Sequence, residues 1–191
     1  MITAANAYWL DFFLKRDCNV FVWNYRGYGE SEQSLFSPNM TPDQQRMDAE
    51  RVMQFLVNRL HVAGSIGVYG RSIGGIAASH LAGKFPNLIS VFMGDRTLGK
   101  LDNMAMNRYG RSPLMLPVYR LGSCFWHVDN GMSLLKNEHA YKIMTFDDQD
   151  DVIDTFSSLH HSIAVAHATN KYDEQSWRQF YEALSLFFKA E

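Results

Sequence analysis

VYGRSIGGIAASH, residues 68–80, holds a serine between glycines where two differently patterned segments meet. The apolar run SIGVYG (65–70) leads into it and is typical of a buried strand. The small residues of IAASHLAGKF (76–85) follow it and are typical of a helix. Glycines suit such a turn because the backbone passes close to the neighbouring strand and helix, where a Cβ would clash. The pattern predicts a strand–turn–helix unit that exposes the Ser72 hydroxyl at the carboxyl end of the strand.

Ser72 on this turn has two interpretations. In the first it is a nucleophile: the backbone N–H of Ile73 points at an incoming acyl oxygen, and the N-terminal end of the helix adds positive potential. In the second the turn is a glycine-rich connection with an incidental serine, or a phosphate-binding turn. The pentapeptide alone leaves both open, and the flanking strand and helix favour the first.

The rest of the chain alternates strand-like and helix-like segments, a pattern typical of α/β proteins. We predict strands at 19–25, 65–70, 88–95 and 139–147, helices at 42–60, 76–85, 152–167 and 176–191, and irregular, aromatic-rich structure at 103–140. The fold class expected is therefore α/β, a mostly parallel sheet flanked by helices. A chain of 191 residues is expected to form one domain, residues 1–191.

The helix predicted at 42–60 has the clearest boundary. Thr41 is a plausible N-cap and Pro42 suits the first helical position. Apolar residues recur at roughly helical spacing: Met47, Val52, Phe55, Leu56 and Leu60.

Composition excludes several classes of protein. A net charge of -2 gives no electrostatic case for nucleic acid or an anionic membrane. Cys18 and Cys124 are too few for a disulfide framework or a zinc site, so a reducing intracellular compartment is the default expectation. No stretch approaches the roughly 20 apolar residues that span a bilayer, and the N-terminus does not have the pattern of a signal peptide.

GRSIGG (70–75), together with NYRGYGES (24–31), resembles the α/β-hydrolase superfamily, most of all the ABHD-type serine hydrolases. FMGDRTLGKLDNMA (92–105), KIMTFDDQDDVID (142–154) and the terminal amphipathic segment resemble further parts of that family in order and spacing. The resemblance covers roughly residues 6–191 and implies an α/β-hydrolase fold.

The resemblance also implies a Ser-Asp-His triad. Ser72 falls on the nucleophile and Asp150 on the acid, with the competing acids Asp147, Asp148 and Asp151 close by. The base must follow the acid in the chain. His167 is preferred because it precedes a turn-like segment and the final helix, and the alternatives left open are His160 and His161.

The chain departs from the family pattern at its beginning. The family has a strand ending in His-Gly-Asn that supplies a second oxyanion N–H, whereas this chain begins MITAANAYW, where the N–H near Ala5 would take that role. The expected fold lacks the usual first strands, which leaves an unpaired sheet edge. Whether Met1 is the true start is open. Only 16 residues separate Asp150 from His167, just enough for a helix and a short strand.

The function expected is a serine hydrolase acting on an ester or thioester of an acyl or lipid-like substrate, with no cofactor and no metal. A cap-like insertion at about 103–138, rich in methionine and aromatic residues, would suit an acyl chain. The alternative is a catalytically weak or inactive hydrolase-fold subunit, a scaffold or binding component of a larger assembly whose protein partner covers the incomplete sheet edge. Reactivity of Ser72 distinguishes the two.

Overall fold

The computed structural model describes residues 10–31, 41–108, 117, 126–145, 153 and 157–159, and for 105–108 the backbone alone. The described residues fall in two compact units, with 10–31 in the first and the others in the second. Each unit is described by itself.

In the first unit, residues 10–14 are helical, and residues 18–25 form neither a helix nor a strand. The strand predicted at 19–25 is wrong, because this run is not assigned to a sheet in the structure. Its alternate aromatic residues lie along one side and contact each other instead: Phe21 and Trp23 have ring centroids 6.4 Å apart, and Trp23 and Tyr25 6.1 Å apart. A run rich in β-branched and aromatic residues is thus not a strand in this part of the chain.

The second unit has alternating helices and strands. In chain order they are α1 (Pro42–Asn58), β1 (Ile66–Arg71), α2 (Gly74–Lys84), β2 (Ile89–Asp95), α3 (Leu101–Arg108), α4 (Asn130–Leu135) and β3 (Tyr141–Thr145). The strands form a three-stranded parallel sheet in the order β1-β2-β3. The predicted α/β class with a parallel sheet is confirmed for this part of the chain.

Strand β2 is the centre of the sheet, and almost its whole length is buried. This fits its near-continuous apolar sequence, because a parallel strand covered on both faces has no solvent side. At the carboxyl end of the sheet, Arg71, Asp95 and Thr145 lie in one register row across the three strands. Residues in register share a face of the sheet, so this row places three polar side chains side by side.

Helix α1 begins as predicted. The Gln44 N–H donates to Thr41 Oγ1 at 3.2 Å, the Thr41 N–H donates to Gln44 Oε1 at 2.9 Å, and Pro42 occupies the first turn. This reciprocal pair satisfies two of the free N–H groups of the helix end.

The buried face of α1 differs from the one that its large apolar residues suggested. Gln45, Ala49 and Met53 are buried, whereas Met47 and Phe55 are almost half exposed. Helix α1 packs against α2, most of whose residues are small. A short contact joins them, Glu50 Oε1 to His80 Nε2 at 2.7 Å.

A hydrophobic cluster of Ile76, Leu98, Val128 and Ile153 connects α2 with the segments that follow β2 and β3. The irregular structure predicted at 103–140 is wrong over 103–108, which belong to α3, and over Asn130–Leu135, which form α4. The predicted cap-like insertion is described only in part, because 109–116 and 118–125 lie outside the described residues, so the cap and the single domain over 1–191 stay predictions.

Candidate active site

The turn between β1 and α2 gives Ser72 an uncommon backbone conformation. Strand β1 ends at Arg71 and α2 begins at Gly74, so two residues make the connection. Ser72 has φ of 51°, in the left-handed region. A residue with a Cβ pays roughly 1–2 kcal/mol there, so the surrounding structure must hold it in place. The sequence predicted this strand–turn–helix arrangement, and the structure has it.

Three hydrogen bonds hold the Ser72 backbone. Its N–H donates to the Asp95 carbonyl of β2 at 3.0 Å. Its own carbonyl accepts the Gly75 N–H at 3.1 Å and the Thr97 hydroxyl at 2.6 Å. Thr97 is buried, so this hydroxyl donates in a site shielded from water. Asp95 at the end of β2 thus holds the Ser72 N–H, and Thr97, just after β2, holds the Ser72 carbonyl.

Two glycines make this close packing feasible. A Cβ on Gly70 would lie 2.5 Å from the backbone oxygen of Gly74 and 2.8 Å from the nitrogen of Gly75. A Cβ on Gly75 would overlap the side chain of Thr97. Neither position has room for another residue without a shift of backbone or of a buried side chain.

The Ile73 N–H lies next to Ser72. Ile73 has φ of -61° and ψ of -25°, already helical, and its side chain is largely exposed. Among the described residues its N–H makes no hydrogen bond. An N–H without a partner at the first turn of a helix is available to an external anion. Backbone N–H groups beside a nucleophile are the donors that form oxyanion holes.

The buried carboxylate of Asp95 organises the neighbouring edge of the sheet. It accepts the Tyr69 hydroxyl at 2.9 Å and the Thr145 hydroxyl at 2.8 Å. Arg71 Nε lies 3.7 Å and Arg96 Nε 3.4 Å from its oxygens. Burial raises the pKa of Tyr69 far above its ordinary range, and the negative charge of Asp95 adds to the rise. Tyr69 therefore stays a hydroxyl donor, and Asp95 is engaged in joining the three strands.

Of the predicted site residues, Ser72 and Ile73 lie on the described turn. The others, Ala5, Asp150 and His167, lie outside the described residues, as do the alternatives Asp147, Asp148, Asp151, His160 and His161. The triad therefore stays a prediction.

The described residues nearest to the predicted acid and base attach to the end of β2. The Leu159 N–H donates to the Thr97 carbonyl at 2.8 Å, and the Gly99 N–H donates to the Ser157 carbonyl at 2.8 Å. Leu98 and Ser158 form an antiparallel bridge. The segment that leads to His160 is thus tied to the same residues that hold Ser72.

Sequence reasoning missed Asp95 and Thr97. The available signal was the polar sequence Asp95-Arg96-Thr97 directly after an apolar strand, since the carboxyl ends of parallel strands meet at one edge of the sheet. What the sequence did not reveal is which backbone group each side chain reaches.

Four histidines precede Asp150 in the chain and so stand in the wrong order for the predicted base: His61, His80, His127 and His139. His80 contacts Glu50 between α1 and α2, and the other three are exposed. In the described part of the chain, no group of three or more His, Cys, Asp or Glu side chains is arranged to hold a metal ion. None of the described helices has the length and apolar character needed to cross a membrane.

Two curated proteins are similar to part of this chain. The α/β hydrolase domain-containing protein WAV2 of Arabidopsis thaliana is 35% identical over 94 residues, 48% of this chain and 28% of WAV2. The uncharacterized membrane protein YNL320W of Saccharomyces cerevisiae is 35% identical over 78 residues, 40% of this chain and 26% of that protein. The chain thus spans about a quarter of the length of each. No family model matches the chain, and no solved structure matches it.

Proposed function

We propose that this chain is a serine hydrolase that cleaves an ester or thioester of an acyl or lipid-like substrate. The observation that carries the proposal is the left-handed Ser72 on a two-residue turn between a parallel strand and a helix. This arrangement lifts a serine hydroxyl above the sheet edge beside the Ile73 N–H, which has no hydrogen-bond partner among the described residues. The partial similarity to an α/β hydrolase domain-containing protein supports the same reaction class.

In the proposed reaction, Ser72 Oγ attacks the carbonyl carbon of the substrate while the imidazole of His167 takes its proton. Asp150 orients that imidazole and stabilises its positive charge. The tetrahedral oxyanion accepts the N–H of Ile73, with a second N–H near Ala5. The imidazolium then gives its proton to the departing alcohol or thiol. Water, deprotonated by the same imidazole, releases the acid and restores Ser72.

A fluorophosphonate probe, which phosphonylates activated serines, tests the nucleophile. We expect the folded wild-type chain to be labelled and Ser72→Ala to take no label. Ser65→Ala is the matched control because Ser65 is an exposed serine just before the opposite end of the same strand. Its labelling should equal that of the wild type.

The same probe distinguishes the histidines. His167→Ala should lose labelling by at least about 100-fold, the usual scale for a general base, while His160→Ala and His161→Ala retain it. If one of those two loses labelling instead, the base is reassigned and the nucleophile stands. A folded wild-type chain that takes no label contradicts the proposal and leaves the binding subunit as the remaining interpretation.

A further inference from the structure

Thr97 stands in a closely fitted site beside the Ser72 turn. Its side chain occupies the space that a Cβ on Gly75 would need, and a Cβ on Gly94 would lie 3.1 Å from its Cγ2. The residue is 1% exposed. Its hydroxyl donates to the Ser72 carbonyl at 2.6 Å, at the short end of the range for such bonds.

The Ser72 carbonyl belongs to the same peptide unit as the Ile73 N–H. In a planar trans peptide the C=O and N–H bonds point in opposite directions, and the described residues contain no cis peptide bond. A hydroxyl that fixes the direction of the Ser72 carbonyl therefore also fixes the direction of the Ile73 N–H. The Gly75 N–H contacts the same carbonyl, but it belongs to the turn itself and moves with it.

We propose that Thr97 is a positioning residue that aims the Ile73 N–H at the oxyanion of the reaction. The inference rests on the proposed function, since an oxyanion forms only if Ser72 attacks a carbonyl. Thr97 touches neither the substrate nor the Ser72 hydroxyl in this role. It anchors the peptide unit from the side opposite to the oxyanion.

The backbone of Thr97 is held independently of its hydroxyl. Its carbonyl accepts the Leu159 N–H at 2.8 Å, and the adjacent Leu98 forms a bridge with Ser158. Replacing the hydroxyl with a methyl group therefore leaves the backbone bonds and the side-chain volume nearly unchanged. Thr97→Val removes the anchor and puts in its place a methyl group that must lie farther from the Ser72 carbonyl oxygen than 2.6 Å, and Thr97→Ser keeps the hydroxyl while removing the methyl group.

The experiment measures ester hydrolysis of a p-nitrophenyl acyl ester and inhibition by a trifluoromethyl ketone, whose serine adduct carries an oxyanion. For Thr97→Val we expect kcat to fall about 10- to 100-fold, below the roughly 100- to 1000-fold loss of a whole donor, with KM little changed. The inhibition constant should rise by a similar factor. In Thr97→Ser, both kcat and the inhibition constant should be close to their wild-type values.

Ser79→Ala is the control for a lost buried hydroxyl. Ser79 is fully buried in α2 and donates to the Ile76 carbonyl at 3.4 Å, without contact to the turn. We expect the melting temperature of the Ser79→Ala variant to fall about as much as that of Thr97→Val, and its kcat to equal that of the wild type.

If Thr97→Val had the same kcat and the same inhibition constant as the wild type, the inference would be overturned, while the proposed function would stay intact. Equal losses in Thr97→Ser and Thr97→Val would also overturn it, because the loss would then follow the methyl group. A wild-type chain that neither hydrolyses the ester nor takes a fluorophosphonate label overturns the proposed function and this inference together.

Discussion

Ser72 shares its positive φ with three other described residues that are not glycine, Asp17, His61 and Arg96. Arg96 stands directly after β2 as Ser72 stands directly after β1. The Ser72 N–H donates to the Asp95 carbonyl, and the Arg96 N–H donates to the Thr145 carbonyl, each at 3.0 Å. Both residues therefore extend the parallel ladder by one bond before the chain turns away. In both residues the left-handed conformation comes directly after this bond, at the point where the chain leaves the sheet.

Gly70→Ala should disrupt the turn. Its Cβ would meet backbone atoms of Gly74 and Gly75, which cannot give way separately, so we expect a loss of about 1–3 kcal/mol in the free energy of unfolding, with reduced labelling of Ser72. Chemical denaturation and the fluorophosphonate assay measure the two effects.

Gly67→Ala is the control on the same strand. Its Cβ would lie 3.4 Å from Met93 Cε, the far end of a flexible side chain. We expect a change within about 0.5 kcal/mol. If the two variants were equally stable, the close approach at Gly70 would be wrong.

Tyr69 should make stability depend on pH in the alkaline range. Burial and Asp95 raise the pKa of Tyr69 in the folded chain, whereas an unfolded tyrosine ionises near pH 10. Above about pH 10 unfolding therefore releases a proton, and the free energy of unfolding falls by at most about 1.4 kcal/mol per pH unit from this group. Below that pH the contribution is fully present.

Tyr69→Phe isolates this effect. Denaturation at pH 8 to 11 should find the wild type more stable than the variant at pH 8, with a difference that shrinks above about pH 10. A difference that is constant across the range would contradict the assigned environment of Tyr69.

The local part of the site was predictable from the sequence and the rest was not. Ser72 and its glycines are adjacent in the chain, so their pattern alone predicts the turn. The contacts of Thr97 and Asp95 with Ser72 join residues more than 20 positions apart, through the register of two strands. Register depends on how whole strands pair, and a single sequence does not display it.

Helix α1 offers a test of its predicted start. Thr41→Ala removes the side-chain acceptor for the Gln44 N–H, and we expect a loss of about 1 kcal/mol in the free energy of unfolding. Thr41→Ser keeps the acceptor, and its free energy of unfolding should fall by much less. Thermal denaturation of both variants measures this, and an unchanged Thr41→Ala would contradict the capping box.

The helices and strands were predictable where a local signal marked them. Caps, glycines and apolar runs placed α1, β1, α2, β2 and β3 correctly. The run 19–25 was predicted as a strand because it is rich in β-branched and aromatic residues, but such a composition does not reveal whether a partner strand is present. The buried face of α1 was not predicted either: the large apolar side chains of Met47 and Phe55 stay exposed, whereas Gln45, Ala49 and Met53 are buried.

In the molecule as a whole, the second unit places the residues of the candidate site at one edge of its parallel sheet. Ser72, Asp95 and Thr145 all lie where the three strands end. Sites at this edge are the rule in α/β proteins, because the strand ends leave backbone groups and side chains facing a common opening. The proposed hydrolase uses that edge, and Ser72 is its central residue.

Mass spectrometry of the fluorophosphonate-treated chain tests this most directly, because it identifies the modified residue. The probe mass should appear on the peptide that contains Ser72, with fragment ions placing it on that serine and none on Ser65 or Ser79. A folded chain that remains unmodified, or that carries the probe only on another residue, would contradict the assignment of Ser72 as a nucleophile.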